Sequence, residues 1–560
     1  MAGPNHYIMP ITPSDSPDKT YLLPRKLEAP GSPWSPLKMP AFRLLWATWM
    51  TANICMWMND VAAAWMMSAL TITPIWVALV QTASTLPVFL LGLPSGALAD
   101  ILDRRRYLIV TQSWLAATAA ALCVAVFFDL LTPPLLLALT FANGIGLAMR
   151  WPIFAALIPE IVPRQQLPAA LALSGIAMNA SRIIGPLVAG ALIASAGTAY
   201  VFVLNATLSV IAGFIITRWR LEFVPSPLGR ERLLSAMRVG LQFVRESAPL
   251  RSVFLMVSLF FFQSTALLDL LPLLARRLAG CDASTYTLLL ASMGAGAIML
   301  VLVLPRLRQR LTGRQLVLAG TLLQSLSAMG MAFATNVYVA VPTMVLAGVA
   351  WLCVANSLSV SAQMSLPDWV RARGMSIYQM AIMGGTALGA AVWGQVATLS
   401  SVSSSLVASA LSGSIAMLVA TRFHKDNLIE EDLTPSRAFN VPVAPTPPSS
   451  GPVMVTIEYL IDPERAPAFL QLMQESRSSR LRQGALNWEL LHDLGEPQRY
   501  LEQIVDESWT EHLRRFDRIT GADVTLRDRK LAFHTGNEPP KTTRYAMSPT
   551  QRAQAEGIES

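Results

Sequence analysis

The chain has 560 residues, of which 53% are apolar and only 14% charged, and a formal net charge of +8. A soluble domain carries about 25% charged residues, so most of this chain faces lipid or a protein interior. Its arginines cluster in short loops between apolar runs, a topology signal that argues against nucleic-acid binding.

Residues 1–40 form a polar, proline-rich N-terminal tail with no apolar leader core before the first span. A hydrocarbon core about 30 Å thick needs roughly 20 apolar helical residues. On that measure twelve membrane-spanning helices are expected, at 42–66, 75–99, 107–128, 133–157, 168–195, 199–217, 251–275, 284–304, 314–333, 337–360, 374–397 and 401–421. Cys55, Cys123, Cys281 and Cys353 lie in or beside these runs without metal-ligand spacing, so no disulfide framework, metal or cofactor is expected.

Between spans 2 and 3 the hinge GALADILDRRR, Gly96–Arg106, packs five charges into a tight turn. Its three consecutive arginines mark a cytoplasmic loop. Alternate loops then carry Arg164, seven arginines between Arg218 and Arg251, a cluster from Arg306 to Arg314, and Arg371 with Arg373. The opposite loops carry only Arg276 and Arg277, so both termini are expected in the cytoplasm.

The two halves repeat. Pro159-Glu160-x-Val162 recurs as Pro367-Asp368-x-Val370 at an offset of 208; Asp103-Arg104 corresponds to Gly313-Arg314 at 210 and Asp60 to Asp269 at 209. Three markers at nearly one offset predict a six-plus-six parallel repeat, in which a central site opens alternately to each side. The expected organisation is an N-terminal six-helix half (41–217), a cytoplasmic connector (218–250), a C-terminal half (251–421), a Pro-rich linker (422–452), a small α/β domain (453–545) and a short tail (546–560).

The hinge residues Gly96, Leu98, Asp100, Arg104 and Arg105 resemble the signature loop of the major facilitator superfamily. Ile101 and Asp103 depart from that loop's usual basic residue and second glycine. Span 5 reads Ser181-Arg-Ile-Ile-Gly185-Pro186-Leu-Val-Ala189-Gly190, similar to the superfamily's antiporter motif, with Ser181 and Ala189 in place of glycines. The arginine usual early in span 4 is missing; Thr140 and Phe141 lie there. The run Ala155–Arg164 and the C-terminal extension resemble the bacterial enterobactin-exporter-like, or transmembrane secretion effector, group. The resemblance implies a multi-pass protein of the bacterial inner membrane that is not an enzyme. It would exchange a small organic molecule, such as a siderophore or drug, for protons, with the lipid bilayer its other partner.

Several residues invite roles. Asp60 is expected to handle protons or substrate, because a carboxylate within a span costs about 2.5–3.5 kcal/mol and is usually functional; the competing reading is a hydrated helix end. Asp269 inherits the same choice through the repeat. Arg182, beside Asn179 and the Gly185-Pro186 bend, is read as holding an anionic substrate or pairing with Asp60. Arg150 is a second candidate cation, with snorkelling to the cytoplasmic surface the favoured reading. The resemblance implies that Asp100, Asp103 and Arg104 gate, Asp100 meeting the start of span 11 near Arg373. Gly185, Pro186 and Gly190 are read as packing residues, like the glycines of span 11. Trp46, Trp49, Trp57, Trp65 and Trp76 are expected chiefly as interfacial anchors, with stacking on an aromatic substrate the alternative.

Beyond the prolines of 432–452, a strand Val453–Ile461, a helix Pro463–Arg482, a hairpin Ala485–Leu494/Tyr500–Val505, a helix from Ser508 to Thr520 and a strand near Leu531–His534 are predicted. This βαββαβ order is ferredoxin-like. The piece resembles antibiotic-biosynthesis-monooxygenase-like domains, which implies a homodimer through paired sheets. His492, His512 and His534 are its ring bases, with no nucleophile or metal spacing beside them. The fold class is therefore an all-α polytopic membrane protein with a small α+β appendage. The competing functions are a membrane-tethered enzyme and a transporter-like sensor acting through that appendage.

Overall fold

The computed structural model describes residues 34–101, 104–163, 166–218, 233–278, 283–367, 369–423, 432–436, 438–439, 442 and 451–547. Asp103, Arg164 and Asp368 lie outside these residues, as do most of the N-terminal tail, the connector up to residue 232 and most of the Pro-rich linker.

The first group of helices comprises α1 (Pro40–Leu70), α2 (Pro74–Ile101), α3 (Arg104–Phe127), α4 (Pro133–Ile161), α5 (Leu167–Ser195) and α6 (Thr198–Arg218). An amphipathic helix, α7 (Leu233–Glu246), follows. The second group comprises α8 (Ala248–Asp269), α9 (Leu271–Leu278), α10 (Ala283–Arg310), α11 (Gly313–Ala332), α12 (Val337–Met364), α13 (Arg371–Leu399) and α14 (Val402–Phe423). Several begin on proline at the first helical positions, where the missing N–H costs nothing. Among the described residues eleven segments are long and apolar enough to cross a membrane, α8 and α9 together making one. The remaining long helix, α1, has 31 residues, about 46 Å. It is long enough to span, but its interior Asn53, Asn59, Asp60 and Ser68 make it too polar to join them by hydropathy.

The expected repeat recurs in the packing. In the first group α1 packs on α5, α2 on α4, and α3 on α6. In the second, α8 packs on α13, α10 on α12, and α11 on α14. The two groups meet through α2 on α13 and α5 on α10, which are themselves a repeat-related pair. Glycines permit these approaches. A Cβ on Gly190 of α5 would sit 2.6 Å from Thr287 Oγ1 of α10, and one on Gly385 of α13 would sit 2.6 Å from the Ser258 carbonyl oxygen of α8.

The appendage carries β1 (Val453–Leu460), α15 (Ala466–Arg482), β2 (Asn487–His492), β3 (Arg499–Asp506), α16 (Trp509–Asp517), α17 (Gly521–Leu531) and β4 (Thr542–Ala546). Its antiparallel sheet has the order β2-β3-β1-β4, the interleaved split-βαβ arrangement expected. The last strand is corrected: Leu531 ends α17, His534 makes only an isolated antiparallel bridge to Ile461, and the edge strand begins eight residues further on. A second helix starts there because Thr520 and Asp523 form a capping box, after which Arg529 and Lys530 favour the helix C-terminus.

The appendage is seated on α7. Arg238 pairs with Glu507 at 2.9 Å, and Gln242 Nε2 donates to the Ala485 carbonyl at 2.9 Å. Gly484, at φ +108°, ends α15 in the left-handed conformation that favours glycine, and a Cβ there would lie 2.9 Å from Val239. Trp369, just before α13, takes the Phe243 ring edge-on and the Arg518 guanidinium on its face, 5.2 Å from the ring centre.

Candidate functional site

Where the two groups of helices face one another, the chain places its unusual polar residues. The Arg182 guanidinium of α5 lies between two indoles, 5.4 Å from the Trp57 ring of α1 and 5.0 Å from the Trp351 ring of α12. The two rings belong to opposite groups, so the arginine bridges them. A Cβ on Gly185 would meet Trp57 Cβ at 2.5 Å; the glycine therefore lets α5 lie against α1 just beside Arg182. The Pro186 ring follows inside α5.

Asp60 stands one helical turn beyond Trp57 on the same face of α1. Its Oδ1 accepts a hydrogen bond from Ser84 Oγ of α2 at 2.8 Å. Arg182 makes no ion pair with it: the expected partnership is replaced by the aromatic sandwich. Asp60 lies ten residues before the end of α1, about 15 Å of helix, which places it in the interior of the bundle. Asp269 ends α8 at the break before α9, is 8% exposed, and has a buried Oδ2 without a hydrogen-bond partner. Trp57 Nε1 and Arg182 Nε are likewise buried and unpartnered. Buried polar atoms are nearly always satisfied, so Trp57, Arg182 and Asp269 are positions with hydrogen-bonding capacity to spare.

Beyond the carboxylates the bundle is sealed. Trp65 stacks on Tyr286 with ring centres 5.1 Å apart and planes at 15°. Arg276 caps the Trp65 ring at 4.5 Å and donates from Nε to Ser68 Oγ at 3.0 Å. One continuous apolar cluster there joins both groups, from Met58 and Val201 to Leu270 and Trp393. At the α7 end, by contrast, the apolar residues form two separate clusters, one around Phe42, Phe154 and Ile216 and one around Phe260, Leu366 and Tyr378. Among the described residues the two groups therefore share an apolar cluster at the end bearing Arg276, whereas at the α7 end each group has its own.

The remaining candidates sit elsewhere. Gly96 and Asp100 lie in the last turns of α2 and Arg104 begins α3; Arg105 Nη2 donates to the Thr217 carbonyl at 2.8 Å. Arg373 lies against α7, where a Cβ on Gly240 would approach its Cβ to 3.1 Å. Asn179 falls on α5, one turn before Arg182. Arg150 does not snorkel: α4 continues eleven residues past it, and the side chain is 6% exposed inside the first group. Of the tryptophans, Trp49 and Trp65 are buried among the helices, and Trp46 and Trp57 are partly buried with partners inside the bundle. Trp49 stacks on Phe154 at 3.9 Å, Trp46 donates to the Leu173 carbonyl, and Trp57 and Trp65 are engaged as described. Trp351, Tyr286 and Ser84 were missed, because nothing in an uncharged run distinguishes a site aromatic or serine from a packing one.

In the appendage every histidine serves the fold. His512 Nδ1 donates to Asp506 at 2.7 Å while Nε2 accepts from Arg544. His534 Nδ1 accepts from the Leu460 N–H, and His492 stacks on Tyr500. Beneath the helices Glu502, fully buried, accepts from Trp488, Ser476, Tyr459 and Lys530. Burial opposes its charge, but the Lys530 ammonium and the Arg480 guanidinium outweigh that and hold its carboxyl well below the usual range. Burial in turn pushes Lys530 down to about 8, partly offset by Glu502.

A family profile described as transmembrane secretion effector matches residues 31–553. Among curated relatives, the staphyloferrin A transporter of Staphylococcus aureus is 22% identical over 325 residues, covering 58% of this chain and 81% of that protein. Macrolide efflux protein A of Streptococcus pyogenes is 26% identical over 198 residues, covering 34% of this chain and 47% of that protein, so the match spans about half of its length. Among solved structures, the nucleoside transporter NupG aligns with a TM-score of 0.55 at 13% identity, covering 69% of this chain and 100% of that one. A bacterial homologue of the human lysosomal transporter Spinster, in an inward-facing and unoccupied conformation, gives 0.55 at 14%, covering 69% and 96%. These structural likenesses establish the fold.

Proposed function

Because the chain belongs to the transmembrane secretion effector family, a family of major-facilitator-type transporters, we propose that it is a proton-coupled exporter of a small organic molecule across the bacterial inner membrane. The loop arginines support placing both termini in the cytoplasm, and with that orientation the shared apolar cluster at the Arg276 end supports reading this as a state closed towards the outside in an alternating-access cycle.

The observation that carries the reading is Arg182 held between Trp57 and Trp351, one from each half, with Asp60 a single turn away. A guanidinium flanked by two indoles keeps its N–H edge for an anionic or hydrogen-bond-accepting group, and a substrate bridging both halves is what couples binding to their rocking. Asp60 and Asp269 then exchange protons as the seal opens. Relatives named for staphyloferrin A and for macrolide efflux support an organic substrate of siderophore or drug size. The appendage is proposed as a regulator of the transporter, since its histidines are engaged in the fold and its docking surface is α7.

The test is transport into inverted membrane vesicles. Substrate should accumulate and collapse when the proton gradient is dissipated. Asp60→Asn should abolish coupled accumulation while leaving substrate binding measurable; undiminished coupled accumulation in that variant would overturn the proton role.

A further inference from the structure

The first group of helices holds a second polar site that lies away from the interface between the halves. A small, partly open cavity of about 20 Å³, enough for a water or a single small ion, is lined by α1, α3, α4 and α6 alone, with Thr51, Cys55, Gln112, Asn143, Arg150 and Asn205 providing its polar wall. Among the described residues no carboxylate lines it.

Arg150 is the feature to be explained. Its guanidinium is buried and makes no ion pair among the described residues. Its contacts are a long hydrogen bond from Nη2 to the Ala52 carbonyl, at 3.4 Å, and the Trp49 ring at 5.7 Å. Nε faces no acceptor. An arginine stays charged, and an unpaired charge taken out of water costs several kcal/mol unless a counter-charge accompanies it. The neighbouring amides do not supply one, since Asn205 donates to Asn59 and Gln112 donates to the Ser209 carbonyl.

We propose that this cavity binds a small inorganic anion, such as chloride, as the counter-ion of Arg150. The unpartnered Arg150 guanidinium N–H, the absence of an acid among the described lining residues and the confinement of the site to one half all fit a resident ion better than a transported one. The inference is independent of the export reading, because it concerns occupancy of one half and not passage between the two.

The test uses purified full-length protein in detergent, at constant ionic strength, with gluconate replaced stepwise by chloride or bromide. The thermal midpoint should rise saturably, by about 2–4 °C. Bromide should give an anomalous diffraction peak beside the Arg150 guanidinium. Arg150→Met, which removes the charge but keeps the bulk, should fold in gluconate and show no halide response; Arg150→Lys should retain a weaker one. A flat wild-type titration, a halide response that persists in Arg150→Met, or saturable protection only by the transported compound's carboxylate would each overturn the proposal and leave the transport reading intact.

Discussion

A planar cation between two indoles is sensitive to shape as well as charge. Replacing Arg182 by Lys keeps the positive charge and loses the stacked plane, so the apparent substrate KM should rise about tenfold with smaller loss of maximal rate. Equal KM values in vesicle transport would remove Arg182 from the binding site. Titration acts at the same scale in the appendage. Glu502 and Asp506 are held below their ordinary values near 4.5 and 3.8, so the unfolded chain binds more protons as the pH falls. His512, kept below 6.5 by burial against the pull of Asp506, acts with the same sign. The stability these groups provide is therefore complete near neutrality and lost progressively below about pH 6, most steeply below 4.5. Hydrogen exchange of residues 453–547 in the intact protein should show falling protection between pH 7 and 4; constant protection would contradict it. At this scale Asp60 was legible because a carboxylate in a span is rare. The burial of Arg150 was not, since it depends on how far α4 continues past Trp151-Pro152.

Among the helices, glycines decide how closely the halves can approach. Gly190 is the point where α5 touches α10 across the interface, and its missing Cβ leaves room for Thr287. Gly190→Val should cost about 1–3 kcal/mol in this closed-ended state and shift the population towards the alternative one. Accessibility labelling of a cysteine at Ser68, measured from the Arg276 side, should increase; unchanged labelling would show that α5 and α10 do not govern the seal. The close approach was readable from the Gly185-Pro186-x-x-x-Gly190 spacing. Helix α7 was hidden in a basic connector, because its apolar face is completed only by residues distant in sequence, from the second group of helices, Trp369 and the appendage. The extra helix α17 was signalled by the Thr520/Asp523 box but masked by its charged surface.

For the whole molecule, the packing pairs α1–α5 with α8–α13 and α2–α13 with α10–α5 show how far a three-marker sequence repeat carries into architecture. What the repeat could not show is that the two halves are unequal: only the second carries the appendage, through α7 and Trp369. Reversing one charge of that seat, Glu507→Arg against Arg238, should loosen the appendage without touching the substrate site. Transport rate should change while substrate affinity stays within about twofold, since such a partly exposed pair contributes only about 0–1 kcal/mol. An unchanged rate together with demonstrable release of the appendage, by protease cleavage of the linker, would separate the appendage from the transport cycle.

The sandwich of Arg182 has an optical consequence. Trp57 and Trp351 move with different halves, and each has its indole against the same cation. Rocking of the halves must pull at least one ring away from that charge and alter its polarity. The protein thus carries a built-in fluorescence gauge: with the other tryptophans replaced, a chain retaining these two should report its conformational cycle through its own emission, without an added dye.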